Sequence, residues 1–146
     1  MILESNLVSS WRARPRGFVA LMGLYESNFL RFSALAGPPE SLEGERVSEL
    51  AGDCTLLLSV LERSPYTSTL RLTYLLPDPL LPAGFERVPD LSLRVYHDAR
   101  LLEACCADSG RPERELDRRW LRNMMLNKWL EYCADRGHCL ARPATT

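Results

Sequence analysis

The run from Leu91 to Cys106, LSLRVYHDARLLEACC, gathers the side chains most able to do chemistry. His97 adjoins Asp98, Glu103 follows, and Cys105 is the nearest thiol. Histidine changes charge near neutral pH and can serve as a general base. With Asp98 or Glu103 to orient it, and water or Cys105 as attacker, the set would make a hydrolase. The pattern argues against that assembly. Neighbours in a strand point to opposite faces, so His97 and Asp98 meet only at a turn. Asp98-Ala99 also reads as plain turn chemistry, because aspartate satisfies local backbone donors. No triad or papain-like signature surrounds Cys105, and a strand thiol belongs in the interior.

Other chemistries have weaker support. Cys133, His138 and Cys139 lie close together, and His97 and Asp98 could join them. Their spacing matches no paired metal-ligand pattern, so no metal is expected. No glycine-rich turn with a phosphate-loop or dinucleotide pattern exists, so no cofactor is expected. Five cysteines, an odd count, favour a reduced compartment. The apolar run Gly17 to Leu24 follows Arg12, Arg14 and Arg16 but lacks a cleavage pattern. It is also far short of the roughly 20 residues that span a bilayer. We therefore expect a cytoplasmic protein without membrane insertion.

The elements that must position these residues are legible in the periodicity. Met1 to Arg14 reads as a mobile leader, since its apolar residues follow no period. Pro15 to Leu35 carries Phe18, Leu21, Met22, Tyr25, Phe29 and Phe32 at helical steps, and Gly37-Pro38-Pro39 stops the helix. Glu45 to Ala51 reads as a short edge strand. Cys54 to Arg63 and Tyr66 to Leu76 read as a hairpin around Ser64-Pro65. The first is the more uniformly apolar, which suits a central position; the second alternates, which suits one buried face. Pro77 to Pro89 holds Pro77, Pro79, Pro82 and Pro89 and reads as a loop packed by Leu80, Leu81 and Phe85. Leu91 to Tyr96 and Leu101 to Ala107 complete the sheet. Glu113 to Arg136 reads as the second helix, with Leu116, Trp120, Leu121, Met124, Met125, Trp129, Tyr132 and Cys133 on a broad apolar face. Acidic residues open it and Gly137 closes it. The fold class is α+β: an antiparallel sheet of four to five strands packed against an N-terminal and a C-terminal helix.

Strand parity then supplies two candidate sites. If the apolar rows face the helices, Thr67, Thr69, Arg71 and Thr73 share the other face with Ser92, Arg94 and Tyr96. Arg71, Arg94 and Tyr96 would form a surface for an anionic ligand or an acidic protein partner. The plain alternative is a solvated face with threonines chosen for β propensity. The second candidate is a pocket near the Tyr96-His97-Asp98 turn, drawing on Glu62, Tyr66, His97, Asp98, Glu103 and Asn123. Asn28 and Asn123 are unusual on apolar helices. They could bond to each other, cap a loop or point into a site.

The chain length of 146 residues fits a single domain over residues 15–140, with 141–146 as a tail. The 18 basic and 19 acidic residues leave a net charge of −1. That removes the general attraction to phosphate backbones, and nucleic acid is not an expected partner.

Four segments, in order, resemble the YqiB-like family of small bacterial domains of unknown function. They are Tyr25-Glu26-Ser27-Asn28-Phe29; the hairpin residues Glu62, Ser64, Tyr66 and Thr67; Arg94-Val95-Tyr96-His97-Asp98-Ala99 with Glu103 and Cys105; and Asp117, Asn123, Leu126, Trp129, Leu130, Tyr132, Cys133 and Gly137. The resemblance spans about residues 15–140 and implies a shared fold and a bacterial cytoplasmic setting. Arg118 and Arg119 stand where the family often has glutamate and lysine. The resemblance implies no activity. The expectation is a non-enzymatic interaction or regulatory module; the alternative is a small-molecule-binding protein or enzyme using the pocket at the turn.

Overall fold

The computed structural model describes residues 17–105 and 116–141. The expected leader lies outside them, as do Cys106, the Glu113 to Glu115 helix start and all of the tail except Ala141. Helix α1 (Phe18–Ala36) is followed by a single 3-10 turn (Pro39–Ser41) and five strands. These are β1 (Glu45–Ser48), β2 (Thr55–Arg63), β3 (Thr67–Pro77), β4 (Phe85–Tyr96) and β5 (Leu101–Cys105). Helix α2 (Leu116–Arg136) closes the order. The strands pair only with their sequence neighbours, all antiparallel, in the spatial order β1-β2-β3-β4-β5. This is the α+β arrangement expected, with an antiparallel sheet and one helix from each end of the chain.

The alternation of the strands decides the core. Leu56, Leu58, Leu70, Leu72, Leu91, Leu93, Val95, Leu102 and Ala104 share one face and are buried. Phe29, Phe32, Leu35, Leu126, Trp129 and Leu130 of the helices cover them. Burying each such side chain contributes about 1.5–3 kcal/mol before entropy is counted. A second, smaller cluster joins Ala20, Leu21, Leu24 and Tyr25 of α1 to Trp120 of α2, with Leu101 packed against it. The N-terminal half of α1 thus meets the sheet at its β5 edge.

Three sequence expectations change. Phe18 is exposed, and the buried stripe of α1 runs instead through Leu24 and Asn28. On α2 the stripe narrows to Trp120, Asn123, Leu126, Asn127, Trp129, Leu130 and Cys133. Leu116, Leu121, Met125 and Tyr132 face out. A 3.6-residue period through Trp120 and Leu130 puts Leu121, Met125 and Tyr132 on the far side and admits two asparagines, while Leu116 is exposed as the first residue of the helix. The proline-rich loop is also shorter than expected, because β4 begins at Phe85. Pro89 fits because the β3–β4 register shifts between Thr73 and Leu75, and proline is tolerated at such a bulge. Leu80 and Leu81 are exposed at the hairpin tip and do not pack it.

The end of α2 is fixed by hydrogen bonds. Gly137, at φ 102°, donates to Ala134 O and His138 N donates to Cys133 O. That pair of bonds is a Schellman stop, which requires the left-handed conformation glycine adopts freely. Leu140 N then donates to Leu35 O, joining the tail to the end of α1. Among the described residues, no helix is long and apolar enough to cross a membrane.

Candidate functional site

Edge strand β5 is held by asparagines. Ala104 N donates to Asn123 Oδ1 at 2.7 Å, and Asn123 Nδ2 lies 3.5 Å from Ala104 O. Asn123 Nδ2 also donates to Arg119 O. Asn28 Nδ2 donates to Leu102 O and to Asn123 Oδ1, and Asn127 Nδ2 donates to Asn28 Oδ1 and Ser27 Oγ. The carboxamide of Asn123 therefore serves the outer edge of β5 as another strand would. All three asparagines are buried, so unmet backbone groups at that edge would be costly. The open alternatives for Asn28 and Asn123 resolve here: they bond to each other and to the edge of the sheet.

On the opposite side of β5, Leu101, Glu103 and Cys105 point away from the main core. Glu103 pairs across the sheet with Arg94, and Leu101 with Tyr96. A cleft of about 390 Å³ opens here, lined by Met22, Tyr25, Tyr96, Ala99, Leu101, Glu103 and Arg119. Tyr96 Oη donates to Glu103 Oε1 at 2.5 Å. Tyr25, only 4% exposed, turns its hydroxyl toward the same carboxylate, close enough for that charge to act on the phenol, and among the described residues no well-aligned partner meets the oxygen. Burial and then the Glu103 charge push the Tyr25 phenol well above its ordinary value, while Arg119 pulls the other way. Burial and the bond to Glu103 push Tyr96 upward too, against Arg94. Cys105, buried beside them, is pushed up to about 12, mainly by burial and then by Glu103.

The sequence candidates scatter around this cleft. Tyr96 and Glu103 line it. Glu62, Tyr66 and Asp98 are exposed, and none of them lines it. His97 turns to the core side, where its Nε2 lies 2.9 Å from Ser68 Oγ and its backbone N donates to Tyr66 O. Asn123 belongs to the strand edge. The row Arg71, Arg94, Tyr96 does share one face, but Arg71 is held by Asp90. Its Nε and Nη2 reach the two carboxylate oxygens at 2.8 and 2.6 Å, and Thr73 Oγ1 donates to Asp90 as well. Tyr25 and Arg119 are the cleft residues that sequence reasoning missed. Tyr25 falls on an apolar helical stripe, and a phenol there reads as core; Arg119 falls on the polar flank of α2.

Cys133 and His138 do not approach a common ligand position. Cys133 packs on Tyr74, and Cys139 is exposed. Among the described residues, no group of three or more histidine, cysteine or carboxylate side chains is placed to hold a metal. His138 instead sits between Ser48 and Asp53: Ser48 Oγ lies 2.8 Å from Nδ1, and Asp53 Oδ2 lies 3.3 Å from Nε2. The residue types are those of a serine hydrolase, but the ring nitrogens are exchanged relative to a triad, His138 is sealed and Ser48 accepts the Cys139 N–H. The three act as a clamp on the tail.

Residues 31–139 match the profile of a family described as protein of unknown function (DUF1249). The chain belongs to this DUF1249 family. No curated protein and no solved structure matches the chain. The matched span begins after Met22, Tyr25 and Asn28 and includes Tyr96, Glu103, Arg119 and Asn123. The β5 side of the cleft therefore lies within the matched span, and the α1 wall lies before it.

Proposed function

We propose that this protein is a non-enzymatic regulatory module that binds a small ligand in the cleft between β5 and the first turns of α1. The observation that carries the reading is the Tyr25 hydroxyl: buried, turned toward a buried carboxylate at the cleft, and without a well-aligned partner among the described residues. A buried hydroxyl without a hydrogen bond is costly, and a ligand group would relieve the cost. Apolar walls with a few convergent polar groups are the usual form of a small-molecule site. A catalytic role has less support. The Cys105 thiol is pushed up to about 12, and His97 does not line the cleft. The reading also places the arginine row second, because Arg71 already meets Asp90.

The test is a nuclear magnetic resonance screen of the full chain with a fragment collection. Binders should move Met22, Tyr25, Tyr96 and Leu101 resonances together, and Ala99→Trp, which fills the cleft, should abolish the shifts. A screen that moves no cleft resonance, or shifts that survive Ala99→Trp, would overturn the proposal. The YqiB-like subgroup and a bacterial cytoplasmic setting are part of the same proposal. They are supported by the four sequence segments and by free thiols at Cys54, Cys105, Cys133 and Cys139.

A further inference from the structure

The cleft presents opposite charges to whatever enters it. Glu103 is 4% exposed, and its carboxylate accepts a hydrogen bond from Tyr96, with the Tyr25 hydroxyl beside it and Arg94 opposite it in the β4–β5 register. A carboxylate has about four acceptor positions, so this one can accept from a further donor. A buried carboxylate is stable when a cation or several donors meet it. The Tyr25 oxygen has no well-aligned partner among the described residues, and the Tyr25 and Tyr96 rings flank the same space. Aromatic faces favour a cation. Arg119 also lines the cleft, and its charge is felt at the Tyr25 hydroxyl. A guanidinium has five donors in a fork, enough to hold a partner within the protein and also meet a carboxylate. Met22, Ala99 and Leu101 supply an apolar wall. The volume, about 390 Å³, is at the small end for ligand sites.

Resting on the reading of this cleft as a ligand site, we propose that its ligand is a small zwitterion with an apolar side chain, of the α-amino acid class. Its ammonium sits between Glu103, Tyr96 and Tyr25, its carboxylate faces Arg119, and its side chain lies on Met22, Ala99 and Leu101. A purely anionic ligand would bring a second negative charge beside Glu103. A purely cationic ligand would bring a second positive charge beside Arg119.

Titration of the full chain with leucine, isoamylamine, isocaproate and isoamyl alcohol, read by the Tyr25 and Tyr96 ring resonances, tests this. The four share one apolar body and differ in charge. Leucine should bind at least about tenfold more tightly than each of the others. Glu103→Gln should erase the advantage of leucine over isocaproate, and Tyr25→Phe should weaken leucine severalfold; Tyr25→Phe keeps the ring and guards against a fold defect in the first variant. Equal binding of leucine and isocaproate would overturn the zwitterion in favour of an anion. Equal binding of leucine and isoamylamine would overturn it in favour of a cation. Binding of the alcohol with no preference for leucine would also overturn it, and all three results leave the ligand-site reading standing. Silence from all four, with fragments still binding the cleft, overturns the zwitterion alone. Silence from the fragments as well overturns both.

Discussion

Cys139 is exposed, Cys54 half-buried, and Cys105 and Cys133 are buried. Their chemistry should follow that order. Burial pushes Cys105 up to about 12 and Cys133 up to about 11, and the thiolate is the reactive form. Alkylation of the native chain at neutral pH, mapped by mass spectrometry, should modify Cys139 first and Cys54 next. Cys105 and Cys133 should react only when the protein is unfolded. Modification of Cys105 at the rate of Cys139 would mean that the end of β5 opens to solvent. The residue scale is also where sequence reasoning was least complete. Parity correctly put Arg71, Arg94 and Tyr96 on one face, but the Asp90 carboxylate that engages Arg71 lies beside a proline-rich stretch that hid its strand. Tyr96 and Glu103 were both legible as functional types, yet in separate groups. Their 2.5 Å bond depends on the β4–β5 register, which alternation alone leaves unfixed.

The asparagine network is the element-scale device that ties both helices to the edge of the sheet. Asn123→Ala removes the acceptor for Ala104 N and for Asn28 Nδ2 while both donors stay buried. The expected loss of stability is about 3 kcal/mol, because each stranded donor costs about 1–3 kcal/mol. Chemical denaturation should show a lower midpoint with an unchanged slope. A loss under about 1 kcal/mol would mean that water replaces the carboxamide and that β5 is not held by Asn123. Helix existence was legible from periodicity and from the Gly37 and Gly137 stops. The buried stripe was not, because Leu121 and Met125 are as apolar as Leu126. Only the packed geometry shows that the inward position goes to asparagine, since an edge strand needs hydrogen bonds more than it needs another apolar side chain.

At the scale of the molecule, Asp53 joins the β1–β2 connection to the end of α2 and to the tail. Burial pushes its carboxyl up, but the Cys54 amide and then Arg136 outweigh it, and His138 adds to them. The folded value lies below the ordinary 3.8. The folded state thus binds this proton less readily than the unfolded state, so the stability Asp53 supplies is present above the ordinary value. It is lost as pH falls through the folded value. The thermal midpoint should therefore fall below about pH 4, and Asp53→Asn should flatten part of that slope. Asp90, held low by Arg71 against burial, should account for slope that remains. An unchanged acid limb in Asp53→Asn would remove Asp53 from the account. The sequence by itself determined the element types, the α+β class and which face of each strand is apolar, because these follow from periods of 2.0 and 3.6 read locally. Tertiary structure alone decided that the first turns of α1 reach the β5 edge and bring Tyr25 to Glu103. It also decided that His97 turns to Ser68 and that Asn123 completes the sheet. Those contacts join residues distant in the chain, and no local pattern encodes which end of a helix will meet which edge of a sheet.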